Sequence, residues 1–249
     1  MNRFKIILFT ILYTWAIAAL ANGSIAAYEG SVNLKSHQKK FIYFLLPKIE
    51  TINHSILKNR SKLESLYSSY RKTSSLSPQN NQWLTSLAKN YGLKNANFNE
   101  NSTWQLLIKR VDIVPAALVL AQAANESAWG RSRFAKQGNN YFGQWCSKPG
   151  CGIIPKRRPQ GATYEVRKFN SADGSIASYI NNLNSNRTYR KLRQIRALLR
   201  AQNKPLSASL LATGLKHYSA RGEFYVSSIK GIIRHYQLAQ LVSNYSATS

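Results

Sequence analysis

Between Val114 and Gly143 the chain reads VPAALVLAQAANESAWGRSRFAKQGNNYFG, and Glu126 is the single carboxylate in that stretch. The whole chain has nine Asp and Glu, so an acid set at the end of a small-residue apolar run, close to Trp129, is a candidate for chemistry. At a helix C-terminus the dipole disfavours a further negative charge. Apolar surroundings disfavour any charge. Both effects raise a carboxyl pKa toward the range of a general acid. The competing reading is a plain ion pair of Glu126 with Arg131 or Arg133.

The elements that must position this acid follow from the same stretch. Pro115 suits the first position of a helix. Ala116 to Ala128 contains strong helix formers and no breaker. The run is apolar nearly all round, the pattern of a helix buried inside a domain. Gly130 is the expected stop, because glycine accepts the left-handed capping conformation. Ser132 is placed to cap a short following turn.

The segment AQAANESAWGRSRFAKQGNNYFG resembles the bacterial peptidoglycan N-acetylglucosaminidase family, in particular its Bax-protein branch. The resemblance is carried by Glu126, Ser127, Trp129, Gly130, Ser132, Gly138, Asn139, Asn140, Phe142 and Gly143. It implies an α+β, mainly helical, lysozyme-like catalytic domain with a small β-hairpin lobe, and Glu126 as the catalytic acid.

Glycosidic cleavage needs a proton donor and something that stabilises the oxocarbenium-like centre, usually a second carboxylate. Glu165, in the hairpin's second strand, is the favoured candidate; a salt bridge with Arg157 or Arg167 is the alternative. Asp173 and Glu223 lie at expected helix starts, where a carboxylate complements the dipole. Many relatives place an acid in the first hairpin strand, which here reads CGIIPKRRP and contains none. Assistance from the substrate's own N-acetyl group is one escape. A water held by Tyr218 is another: LKHYSARGEFY resembles the family's late tyrosine motif, although Tyr218 could instead be a core aromatic. Flat aromatic faces and a few fixed polar groups bind sugars. Tyr141, Trp145, Tyr164 and Tyr179 are expected to line the cleft with Tyr218. Ser127 and Asn140 could bond either the sugar or the helix end.

The formal charge of +26 favours association with polyanions. Arg3 and Lys5 precede an apolar run from Ile6 to Ala21 that ends in Ala19-Leu20-Ala21, a secretory signal pattern with cleavage expected after Ala21. An uncleaved anchor is the alternative. Export to the periplasm or cell envelope makes anionic envelope polymers, not nucleic acid, the expected partners. It also makes Cys146 and Cys151, with Pro149-Gly150 between them, a natural small-loop disulfide. The four His residues have no ligand spacing, and no metal or cofactor is expected.

The remaining chain reads as helices around this centre. A long amphipathic helix spans Lys39 to Lys72, with Pro47 marking a start or kink. Pro78 to Tyr91 follows, closed by Gly92, and then Trp104 to Lys109. Gly152 to Arg157 and Thr163 to Phe169 are expected strands around a Pro159-Gln160-Gly161 turn. Ile176 to Leu183, capped by Asp173 or Ser175, and Tyr189 to Ala201 are expected helices. A segment from Ser207 and a last helix from Glu223 or Phe224 to about Leu241 complete the chain. The basic run Arg190, Lys191, Arg193, Arg196 and Arg200 reads as a solvated face able to hold an anionic polymer. The expected division is a signal peptide over 1–21, a helical extension over 22–100 and a catalytic domain over 101–243. The expectation is a monomeric endo-β-N-acetylglucosaminidase of peptidoglycan glycan strands. The rivals are a lytic transglycosylase and a non-catalytic envelope-binding protein.

Overall fold

The computed structural model describes residues 34–247. The expected signal peptide lies outside the described residues. Ten α-helices and a three-stranded sheet form the mainly helical α+β arrangement among them. In chain order these are α1 (Ser36–Thr73), α2 (Pro78–Asn90), α3 (Asn101–Arg110), α4 (Ala116–Ser127) and α5 (Arg133–Gly138). Then come β1 (Trp145–Cys146), β2 (Gly152–Ile153), β3 (Glu165–Arg167), α6 (Ala172–Ser185) and α7 (Arg190–Ala201). The chain closes with α8 (Ala208–Ala212), α9 (Glu223–His235) and α10 (Leu238–Ser246).

The small-residue composition of α4 has a direct structural result. Every residue from Ala116 to Ala124 is buried, and α1, α8, α9 and α10 all pack on this helix. Alanines at positions 116, 117, 121, 123 and 124 leave room for helices on all sides. Gln122 is the polar exception, 0 % exposed, and it is satisfied: its Nε2 donates to the Tyr225 hydroxyl and its Oε1 accepts from the Tyr179 hydroxyl. A buried amide left without these partners would cost about 1–3 kcal/mol.

The long first helix runs through Pro47 rather than starting there. Its Phe41, Leu45 and Ile49 join Leu118 and Leu120 of α4 in one hydrophobic core, which therefore continues across the expected division near residue 100. Arg60 of α1 donates to the Ile108 and Val111 carbonyls and pairs with Asp112 at 3.5 Å.

The hairpin is smaller than its sequence pattern predicts, and it gains a strand. β3 is central, with β1 antiparallel on one side (Cys146 opposite Glu165) and β2 on the other (Ile153 opposite Val166). Cys146 and Cys151 form the expected disulfide across the loop between β1 and β2. Helix α6 starts at Ala172, capped by the Ser171 hydroxyl; Asp173 instead pairs with Lys48 at 3.3 Å. The expected last helix is two, because Gln237 adopts a left-handed φ of 44° and turns the chain.

The basic helix α7 is the main departure. Arg193 is 5 % and Arg196 1 % exposed, and Arg200 turns onto Asp112 at 2.8 Å. Arg196 donates to the Lys109, Asp112 and Ile113 carbonyls and to Asn184 Oδ1. Three of the five cations expected to face solvent thus bind the protein's own acceptors. The amphipathic period of α7 is real, but its arginines crown the inward side.

Candidate active site

The last turn of α4 delivers Glu126 to a half-open position above a floor of tyrosines. Helix α4 ends at Ser127, two residues earlier than the glycine stop predicts, and Ala128, Trp129 and Gly130 all take positive φ, 51°, 58° and 74°. A left-handed Ala or Trp costs about 1–2 kcal/mol. Ser127 and the packing of Trp129 hold the turn. The Ser127 hydroxyl donates to the Ala123 carbonyl at 2.6 Å and accepts from the Gly130 N–H at 2.7 Å, while its carbonyl accepts from the Ser132 N–H. The Trp129 ring meets Phe41 and Tyr236 edge-on. Ser132 caps α5 as its sequence position predicts.

The ion-pair alternative for Glu126 does not occur. Arg131 donates to the Ala128 carbonyl and Arg133 to the Ile154 carbonyl. Glu126 Oε1 accepts from the Asn125 amide at 3.0 Å. Its Oε2 lies against Gly143, where an added Cβ would stand 3.6 Å away. Gly143 has a φ of +64°, so the backbone turn calls for glycine, while a Cβ there would only touch the carboxylate.

Asn140 explains how Gly143 is brought there. It is 2 % exposed and uses its whole amide: Nδ2 donates to the Gln144 and Arg167 carbonyls, and Oδ1 accepts from the Phe142 and Gln144 N–H groups. This one side chain folds residues 142–144 into a loop and ties it to β3.

Beside the loop lies a cavity of about 400 Å³, lined by Gly143, Gln144, Trp145, Tyr189 and Tyr218 and by a polar side of α6. That side is Ser178, Asn181, Asn182 and Ser185. The floor beneath is aromatic: Tyr179 stacks on Phe142 at 4.0 Å, and Tyr218 stacks on Tyr225 at 5.3 Å. The Tyr218 hydroxyl donates to the Phe142 carbonyl at 2.8 Å. Burial first, then the negative charge of Glu126, holds the Tyr218 hydroxyl well above the ordinary phenol range. Burial and neighbouring phenols, with Glu126, do the same to Tyr179 and Tyr225. These phenols therefore stay protonated at neutral pH and can donate.

The expected site residues divide into several groups. Trp145, 57 % exposed, lines the cavity, and Tyr164 packs against its edge at 4.5 Å. Tyr218 lines it too, with its proton held by backbone. Four expectations of sugar contact are corrected by burial. Ser127 and Tyr179 are 0 % exposed and bonded within the core, Asn140 has every amide valence filled, and Tyr141 packs against Phe41 and Phe44. They build the site's frame instead. Glu165 is held elsewhere: its oxygens accept from the Gly150 and Gly152 N–H groups at 3.0 and 2.7 Å, which ties it to the disulfide loop. Those two bonds pull its carboxyl below the ordinary range. Neither the Arg157 nor the Arg167 salt bridge forms. Cys146, Cys151 and Glu165 gather their ligand atoms within 4.8 Å, but the sulfurs are bonded to one another, which closes the group to a metal.

Sequence reading missed the polar wall of α6. Its signal was available: Ser178, Asn181, Asn182 and Ser185 fall at three- and four-residue steps, one helix face without charge. Tyr189 was missed because it precedes a basic helix and reads as its first residue.

Comparison with known proteins agrees with this construction. The family model described as glucosaminidase, mannosyl-glycoprotein endo-beta-N-acetylglucosaminidase, matches residues 101–238. Protein bax of Escherichia coli (strain K12) is 33 % identical over 188 residues, covering 76 % of this chain and 65 % of that protein. The chain thus spans a little under two thirds of that relative's length. No solved structure matches it. A match over more than half the chain, which takes in the Glu126 helix and its loop, means that the chain belongs to the glucosaminidase family.

Proposed function

We propose that the chain is an endo-β-N-acetylglucosaminidase that cuts peptidoglycan glycan strands outside the cytoplasm, with Glu126 as proton donor. One observation carries the reading. Glu126 is a carboxylate without an ion-pair partner among the described residues, and its Oε2 lies against Gly143, which lines a sugar-sized cavity walled by phenols, amides and an open tryptophan. A cavity of about 400 Å³ falls within the ~300–1,000 Å³ range of small-molecule sites.

None of the residues lining that cavity is an acid, so the second half of the reaction is assigned to the substrate. Glu126 gives its proton to the glycosidic oxygen as the C1–O bond breaks and the bonding pair leaves with that oxygen. The sugar's acetamido oxygen attacks C1 in its place, the recognised exception to two-carboxylate chemistry. Water then attacks C1 as the bond from C1 to the acetamido oxygen breaks and its pair returns to the amide, and the water's proton passes to Glu126. Tyr218, whose own proton is engaged by Phe142, keeps oxygen lone pairs that can accept the acetamido N–H. Glu165 is assigned a positioning role on the disulfide loop that carries β1 and Trp145.

The same lack of a second acid favours one alternative, a lytic transglycosylase, in which a sugar hydroxyl replaces water and the product ends in an anhydro ring. Mass spectrometry of digested wall material separates them. Products with an added water and a new reducing end support the hydrolase. Products of anhydro mass assign the transglycosylase. Glycan that binds and is recovered intact points to an envelope-binding protein.

A further inference from the structure

A second cavity, of about 550 Å³, lies on the other side of the polar ridge of α6. Its walls are Ile52, Ser55, Ile56 and Asn59 of α1, Leu87 and Asn90 of α2 with Tyr91, and Ala177, Ser178 and Asn181 of α6. Ser178 and Asn181 also line the cavity beside Glu126, so the two spaces share one ridge. The ridge is fixed from both sides. The Ser178 hydroxyl donates to Gln144 Oε1 in the active-site loop, and the Asn181 amide donates to the Asn90 carbonyl at the end of α2.

The chemistry of this lining is selective. It contains hydroxyls, amides, a phenol and aliphatic side chains, and none of its residues is charged. On a chain of formal charge +26, a space free of Lys and Arg is a poor receptor for an anionic peptide and a good one for a neutral amide-bearing sugar.

We propose that the two cavities form one extended groove, and that the helices ahead of residue 100 supply its far wall, binding further N-acetylated sugar units of the strand held at Glu126. This rests on the glycan-cleaving reading and adds to it a role for the N-terminal helices: they lengthen the substrate site instead of merely supporting the fold. Binding units beyond the reacting bond is a standard source of energy for positioning that bond.

The test uses the full chain carrying Glu126→Gln, titrated with N-acetylglucosamine oligomers from trimer to octamer. Affinity is expected to rise about tenfold or more with length, as added units reach the second cavity. Adding Ser55→Trp, at an exposed position whose larger side chain would fill the space, should collapse the ratio of long-chain to short-chain affinity. Asn59→Ala should lower the same ratio without adding bulk. A ratio unaltered in both variants would overturn the extended groove. Failure of every oligomer to bind would overturn the glycan reading itself, and is distinguishable because the trimer needs only the first cavity.

Discussion

Two acids flank helix α4, one in the segment ahead of it and one in its last turn, and they are handled in opposite ways. Asp112, four residues ahead of Ala116, is 2 % exposed and ringed by Arg60, Arg196 and Arg200 at 3.5, 3.6 and 2.8 Å. Burial pushes its carboxyl up, but the Arg200 hydrogen bond and the charges of Arg196, Arg60 and Arg200 outweigh that and hold it below the ordinary range. Glu126, in the last turn of α4, has an amide neighbour and no ion-pair partner among the described residues, in a protein with 35 Lys and Arg. Asp112 is committed to the fold by its three cations, whereas Glu126, with Oε2 against the Gly143 loop, is left for chemistry. The Asp112 cluster, by contrast, joins α1 and α7 to the segment between α3 and α4 and is committed to structure.

The contrast can be broken by exchanging which property each substitution damages. Glu126→Gln should lower glycan cleavage about 10³-fold, within the range of general acid catalysis, while thermal unfolding stays near wild type. Asp112→Asn should do the reverse, costing about 3 kcal/mol in denaturant unfolding because three guanidinium groups lose their counter-charge. It should also remove an acid limb. The folded pKa of Asp112 lies below its unfolded value of about 3.9, so its stabilisation is present above that pH and fades as pH falls through the folded pKa. Wild-type stability measured from pH 6 down should therefore drop, and the Asn variant should drop less. Gly143→Ala sharpens the Glu126 side: a φ of +64° should cost about 1 kcal/mol in stability, and a loop that relaxes away from Oε2 to relieve it should lower kcat as well. Trp145→Ala is the mildest, raising KM by about 1 kcal/mol of lost stacking with no change in melting temperature.

The legible and illegible parts of this molecule differ in range. The α4 helix could be read because its signal is local: alanines, no breaker, an acid at the end. The position of its stop could not, because Ala128 and Trp129 are left-handed only with Ser127 bonding the turn and Phe41 and Tyr236 gripping the indole. Arg193, Arg196 and Arg200 recur at helical steps in the sequence, yet the Asp112 that receives two of them lies more than eighty positions away. Tyr179 and Trp145 are both aromatics of the expected cleft. Only packing makes one a sealed floor and the other an open wall. The disulfide was readable from its turn, whereas the two N–H groups that its loop donates to Glu165 emerge only with β1 and β2 flanking β3.

The most direct measurement is the count of new chain ends released from purified peptidoglycan by Glu126→Gln protein that melts at the wild-type temperature. The unpaired-acid account predicts that the count falls to background while the folded protein still binds the glycan. Ends released at a rate near wild type by that folded variant would contradict it.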